Sequence, residues 1–113
     1  MAKLTKDILE AFNEGRRGMK KGLPKVMTAF GEVGNEVLKD GALDHKTKEL
    51  MTLAVGIHAQ CEYCIAIHVK NCLDAGATRE EIAEACGVAV LMGGGPAMTY
   101  ATEVFNALDE YGA

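Results

Sequence analysis

Apolar residues return every three to four positions along nearly the whole of this 113-residue chain, and no apolar–polar alternation lasts for the length of a half-buried strand. That period commits the chain to helices, and its interruptions divide it. A first helix is expected over residues 4 to 18, with Leu4, Ile8, Ala11 and Phe12 on one stripe, weakening through Gly18 to Gly22. Pro24 suits the first turn of a second helix, where the missing N–H would be unpaired anyway. That helix carries Val26, Met27, Phe30, Val33, Val37 and Leu38 and should stop near Asp40-Gly41. Asp44 is placed to cap a third helix with Leu50, Leu53, Ala54 and Ile57, which leads into a cysteine-bearing segment ending at Gly76. Thr78-Arg79-Glu80-Glu81 has the Thr-x-x-Glu pattern of a capping box, so a helix should begin there and bury Ile82, Ala85, Cys86 and Ala89. Gly93-Gly94-Gly95-Pro96 then interrupts the pattern before a last helix with Ala101, Val104, Phe105 and Leu108 inward. No Lys-Ser/Thr follows these glycines and no strand precedes them, so a bend between helices explains them better than a phosphate loop. The fold class is all-α, a compact helical bundle of five to six helices.

A hydrophobic fraction of 49% in a chain of this length fills one core, which makes residues 1–113 a single domain. Apolar surface is left over, and six methionines add adaptable contact area, so burial between subunits is expected. The net charge of -4 is unevenly spread: ten basic against seven acidic side chains in residues 1–48 (+3), two against nine in residues 49–113 (-7). An acidic chain without Trp and without a stacking aromatic cluster is a poor nucleic-acid binder. The basic group Arg16, Arg17, Lys20, Lys21 and Lys25 reads as a solvated face or a subunit contact. No apolar run approaches the length of a membrane span, and the N-terminal MAKLTKDILE has no signal-peptide core, which points to the cytoplasm. In that reducing compartment four cysteines are more readily catalytic or metal-binding than a structural disulfide framework.

Their spacing narrows the chemistry. Cys61 and Cys64, three residues apart on a helix, bring two sulfurs to one face, and His68 lies one turn further along it. An imidazole there can accept the thiol proton or stabilise the thiolate. A helix beginning near Cys61 would favour a thiolate at Cys61 through its dipole, whereas His68 favours Cys64; the histidine weighs more because it also gives the proton a route. Zinc is the competing reading: Cys61, Cys64 and His68 are three ligands, with His58 or Glu49 available as a fourth. Inert core thiols in an oligomeric scaffold without redox turnover are a third. A c-type haem site is excluded because Ile65, not His, follows Cys64. Cys72 and Cys86 sit on apolar stripes and read as buried thiols, while His45 and His58 read as surface or satisfied histidines. Tyr63, between the cysteines, reads as packing or lining the mouth of the site. Spacing alone does not single out Glu49.

A resemblance does. Glu49, followed twelve residues later by Cys61-Glu-Tyr-Cys64 and then His68, resembles the alkyl hydroperoxidase D-like branch of the carboxymuconolactone decarboxylase family. The similarity runs from Lys46 through Ala-Gly76-Ala-Thr78-x-Glu-Glu81-Ile82-x-Glu84 to the glycine-rich turn, more than half the chain. It implies a helical domain assembled into homotrimers or homohexamers, and peroxiredoxin-type reduction of peroxides or disulfides without a bound cofactor or metal. Carried over by position, Cys64 would be the attacking thiolate and Cys61 the resolving thiol, with His68 and Glu49 as the proton relay. The reductant implied is a thiol donor, a lipoyl or thioredoxin-like protein by family precedent. One position departs from the pattern: Tyr63 stands where the best-known members carry a further histidine.

The relay makes a demand on the fold. On one continuous helix Glu49 and Cys61 would lie about 18 Å apart at 1.5 Å per residue, far beyond hydrogen-bond contact. A break is therefore expected between His58 and Cys61, so that two antiparallel helices bring Glu49 beside His68. A straight helix from Asp44 to Ala75 would remove Glu49 from the mechanism.

Overall fold

The computed structural model describes residues 4–113, so the first three residues of the MAKLTKDILE segment lie outside it. Five helices follow one another: α1 (Thr5–Gly22), α2 (Pro24–Val37), α3 (His45–His58), α4 (Glu62–Asp74) and α5 (Arg79–Tyr111), and the described residues contain no strand. The all-α reading holds, and local chemistry accounts for most boundaries. Asp44 caps α3 by accepting from the Thr47 N–H at 2.8 Å. Thr78 and Glu81 close the capping box of α5 at 3.1 and 2.9 Å. Gly76, at φ +88°, turns the chain after α4 in the left-handed region that favours glycine. The N-terminus of α1 is capped from afar: the Thr5 and Lys6 N–H groups donate to the Glu110 carboxylate at 2.8 and 3.1 Å, tying α1 to the end of α5.

Three boundaries differ from expectation. The first helix continues through Gly18 to Gly22, because isolated glycines on an exposed helix weaken it without ending it. The second ends at Val37, three residues before Asp40-Gly41. The glycine-rich run is a kink inside one long α5, where Gly94 alone takes a non-helical φ/ψ of 68°/-149°. Pro96 follows two residues later, in the first turn of the restarting helix, where the N–H that proline lacks would have no partner anyway.

The core is the packing of α3, α4 and α5, with Leu53, Ile57, Ile65, Val69, Ile82 and Leu108 fully buried. Each such side chain contributes about 1.5–3 kcal/mol of burial. Lys46 on α3 and Glu81 on α5 add an ion pair at 2.9 Å across the same seam. By contrast, α2 buries none of its residues and packs only against α1 among the helices. Val26, Phe30, Val33 and Val37 are exposed, Phe30 by 72%. Its apolar stripe is real, but no second layer among the described residues covers it. The radius of gyration, 14.4 Å, accordingly exceeds the roughly 13 Å typical of a compact chain this long.

The expectation that no apolar run approaches a membrane span needs correction. By length and composition α5 is long and apolar enough to cross a membrane. Its Gly-Gly-Gly-Pro centre reads as a break, yet residues 85–102 carry no charge on either side of it. Part of that apolarity belongs to the bundle core, where Cys86, Ala89, Ala97 and Ala101 are buried.

Candidate functional site

The turn between α3 and α4 builds the site. After His58 the chain passes through Ala59 and Gln60, whose φ of +56° is the left-handed conformation that reverses direction, and the Cys61 N–H donates to the Gly56 carbonyl at 3.1 Å. Helices α3 and α4 therefore run antiparallel, pairing Gly56 with Cys64 and Thr52 with His68. Gly56 is needed for that approach: a Cβ there would lie 3.1 Å from the Cβ of Cys64. This is the break that the Glu49–His68 geometry requires.

Cys61 is the N-cap of α4, and its sulfur accepts the Cys64 N–H at 3.1 Å. The two cysteines are joined as a disulfide, with Cα atoms 5.2 Å apart. Cys64 and His68 line one cavity of about 520 Å³, whose remaining wall is mostly apolar: Leu38, Leu43, Met51 and Val55. Lys48 stands at its edge, held by donating to the Lys39 carbonyl at 2.6 Å. Burial lowers the pKa of His68 below the usual imidazole range, and the Glu49 carboxylate only partly offsets this. Near neutral pH His68 is therefore an uncharged ring, able to accept a proton.

Glu49 lies behind that ring, only 3% exposed, with Oε1 3.8 Å from His68 Nδ1 and Oε2 3.9 Å from His45 Nε2. Both separations are too long for direct hydrogen bonds but close enough for strong charge interaction. Between Glu49 and His68 sits Thr52, whose Oγ1 is 2.7 Å from the Glu49 backbone carbonyl, 3.3 Å from Glu49 Oε1 and 3.1 Å from His68 Nδ1. All four residues nominated from the sequence, Glu49, Cys61, Cys64 and His68, thus meet at the α3–α4 seam.

Others fall elsewhere. Tyr63, 47% exposed, faces Phe12 of α1 with ring centroids 6.3 Å apart and does not line the cavity. The ring of His58 lies against Gly93 of α5, where an added Cβ would come within 3.1 Å of its Cδ2. Among the described residues no group of three or more His, Cys, Asp and Glu side chains is arranged to hold a metal ion. Cys72 and Cys86 are buried free thiols, and burial pushes their pKa values up to about 12 and about 11. Two neighbours of the site escaped the sequence reading. His45 is satisfied through Nδ1, 2.8 Å from the Leu38 carbonyl, yet it also faces Glu49. Thr52 gave a faint signal: a β-branched hydroxyl in mid-helix, three residues after Glu49 and so on its face.

Comparison with known proteins agrees with this architecture. The sequence model of the carboxymuconolactone decarboxylase family matches residues 24–107. The chain belongs to that family. Within the carboxymuconolactone decarboxylase family, its Glu49, Cys61-x-x-Cys64 and His68 set is consistent with the alkyl hydroperoxidase D-like branch. The chain is 44% identical over 82 residues to an uncharacterized protein of the cox locus of Paracoccus denitrificans, covering 73% of this chain and 74% of that one. The fold is similar to that of an apo carboxymuconolactone decarboxylase family protein of Legionella pneumophila, at 38% identity and a TM-score of 0.93 over 96% of this chain and 97% of the other. It is also similar to a family protein of Thermotoga maritima suggested to take part in antioxidative response, at 31% identity and a TM-score of 0.81 over 93% and 89% of the two chains.

Proposed function

We propose that this protein is a cytoplasmic thiol-dependent oxidoreductase that reduces peroxides or disulfides through Cys64 and Cys61. The observation that carries this reading is the Cys61–Cys64 pair at disulfide distance, with Cys64 and His68 lining one cavity and the buried Glu49 carboxylate 3.8 Å from the ring. The antioxidative role suggested for the Thermotoga maritima relative supports it.

In the cycle, His68 takes the Cys64 proton and the thiolate attacks one peroxide oxygen. The O–O bond breaks, the departing alkoxide or hydroxide takes a proton from His68, and Cys64 becomes a sulfenic acid. Cys61 then attacks the Cys64 sulfur, water leaves, and the disulfide closes. An external dithiol, of a lipoyl or thioredoxin-like donor, accepts the oxidation by thiol–disulfide exchange and returns both thiols. Cys61 is suited to the resolving role because the Cys64 N–H already points at its sulfur and stabilises negative charge there. A homotrimer or homohexamer is part of the same proposal, supported by the uncovered apolar face of α2 and by exposed Leu91 and Met92. Light scattering at micromolar concentration should give a multiple of the monomer mass, and a monomer mass alone would reject it.

The test of activity is a thiol count on reduced protein before and after peroxide, with and without a dithiol reductant. Two thiols per chain should disappear with peroxide and return with the reductant. No thiol consumed by mild peroxide would leave an inert scaffold as the better reading.

A further inference from the structure

The hydroxyl of Thr52 decides which nitrogen of His68 carries the proton. It has a single hydrogen and touches three groups: the Glu49 carbonyl at 2.7 Å, Glu49 Oε1 at 3.3 Å and His68 Nδ1 at 3.1 Å. A carbonyl oxygen only accepts, so an approach of 2.7 Å requires the hydroxyl hydrogen between the two oxygens; otherwise lone pairs would face one another in a half-buried site. The weaker alternative, Glu49 Oε1, is an acceptor too when ionised. With its hydrogen committed to Glu49 either way, Thr52 can only accept from the ring. A bare Nδ1 would then oppose an oxygen lone pair at 3.1 Å, whereas a protonated Nδ1 donates to it.

We infer that Thr52 is a positioning residue that holds His68 as its Nδ1–H tautomer and so leaves Nε2 bare to take the Cys64 proton. This deepens the thiol redox reading above and rests on it for its consequence. The opposite tautomer would carry its hydrogen on Nε2 and could not act as the base from that nitrogen. Glu49 cannot set the tautomer itself, because its carboxylate stands 3.8 Å from Nδ1. The two residues therefore divide the work: Glu49 acts on the ring through charge once it is protonated, and Thr52 through a hydrogen bond before that. His45 faces the other carboxylate oxygen of Glu49 and makes its own Nδ1 contact with the Leu38 carbonyl.

The tautomer is read by nitrogen-15 NMR of the histidine ring in the reduced protein, above the pKa of His68. Wild type should show Nδ1 protonated and Nε2 bare. Thr52→Val keeps the branched shape and removes the hydroxyl; it should admit the Nε2–H tautomer and slow alkylation of Cys64 at neutral pH about tenfold. Thr52→Ser should restore both, which a purely structural role for the side chain would not do, and Thr52→Ala serves in the same comparison should the valine variant not fold. An Nε2–H ring in wild type, or an unchanged Nδ1–H ring in Thr52→Val, would overturn the inference. Because the NMR signal needs no turnover, a tautomer that moves as expected in a protein that reduces neither peroxides nor disulfides would defeat the redox reading and leave the Thr52 assignment standing.

Discussion

The two ends of α4 hold cysteines in opposite circumstances. At its start, Cys61 caps the helix and Cys64 borders a cavity beside an uncharged imidazole; eleven residues after Cys61, Cys72 is fully buried against the α5 side of the bundle, where Cys86 is its counterpart. One helix thus carries a thiol with a proton acceptor and a helix N-terminus next to it, and another whose ionisation burial opposes. The difference teaches that reactivity in this chain follows place: distance from the helix start, access to the cavity, and the presence of His68.

The sharpest way to break that contrast is to exchange the sulfurs for oxygen. Cys64→Ser should abolish peroxide consumption, measured as loss of peroxide by reduced protein, while Cys72→Ser and Cys86→Ser leave the rate unchanged. Cys72→Ser should be felt in stability instead, about 1–3 kcal/mol in urea melts, because it buries a hydroxyl among apolar side chains. Peroxide turnover that survived Cys64→Ser but fell with Cys72→Ser would invert the comparison.

His68→Ala should lower the rate of the first step about a hundredfold with the fold intact by circular dichroism, since the proton acceptor and the stabilisation of the thiolate go together. The pH dependence sharpens this. Burial holds the His68 pKa down, so the wild-type rate should persist below the ordinary imidazole range and fall only as the ring protonates. The same shift has a sign for stability: the folded state binds the His68 proton less readily than the unfolded state, so stability is full above the unfolded pKa and is lost as pH falls below it. Denaturation at mildly acid pH should be less pH-dependent in His68→Gln. Glu49→Gln should act in the same direction as His68→Ala but about tenfold, because Glu49 influences the ring through charge and never touches sulfur.

Much of this arrangement could be read from residues in order. The caps at Asp44 and Thr78 and the stop at Gly76 bracket helices by local hydrogen-bond chemistry, which neighbouring residues determine. The requirement that Glu49 reach His68 placed the α3–α4 turn, since a straight helix forbids the contact. What escaped was tertiary. Val26, Phe30, Val33 and Val37 make a helical stripe indistinguishable from a core stripe until one sees that none of the described residues covers it. Gly94 kinks one helix where the same glycines and Pro96 suggest an end. Thr52 and His45 share the face of α3 that carries Glu49, but the contact of Thr52 with His68 exists only because α3 is laid back against α4, and that of His45 with the Leu38 carbonyl only because the end of α2 returns to the start of α3, neither of which local spacing encodes.

The central claim, that His68 and not the helix start selects the attacking sulfur, is tested most directly by trapping sulfenic acid on the two single-cysteine variants of the pair. After one equivalent of peroxide, a dimedone-type reagent should label Cys64 in Cys61→Ser and leave Cys61 unlabelled in Cys64→Ser. Label on Cys61 in Cys64→Ser, with none on Cys64 in Cys61→Ser, would contradict the account and assign the nucleophile to the N-cap of α4.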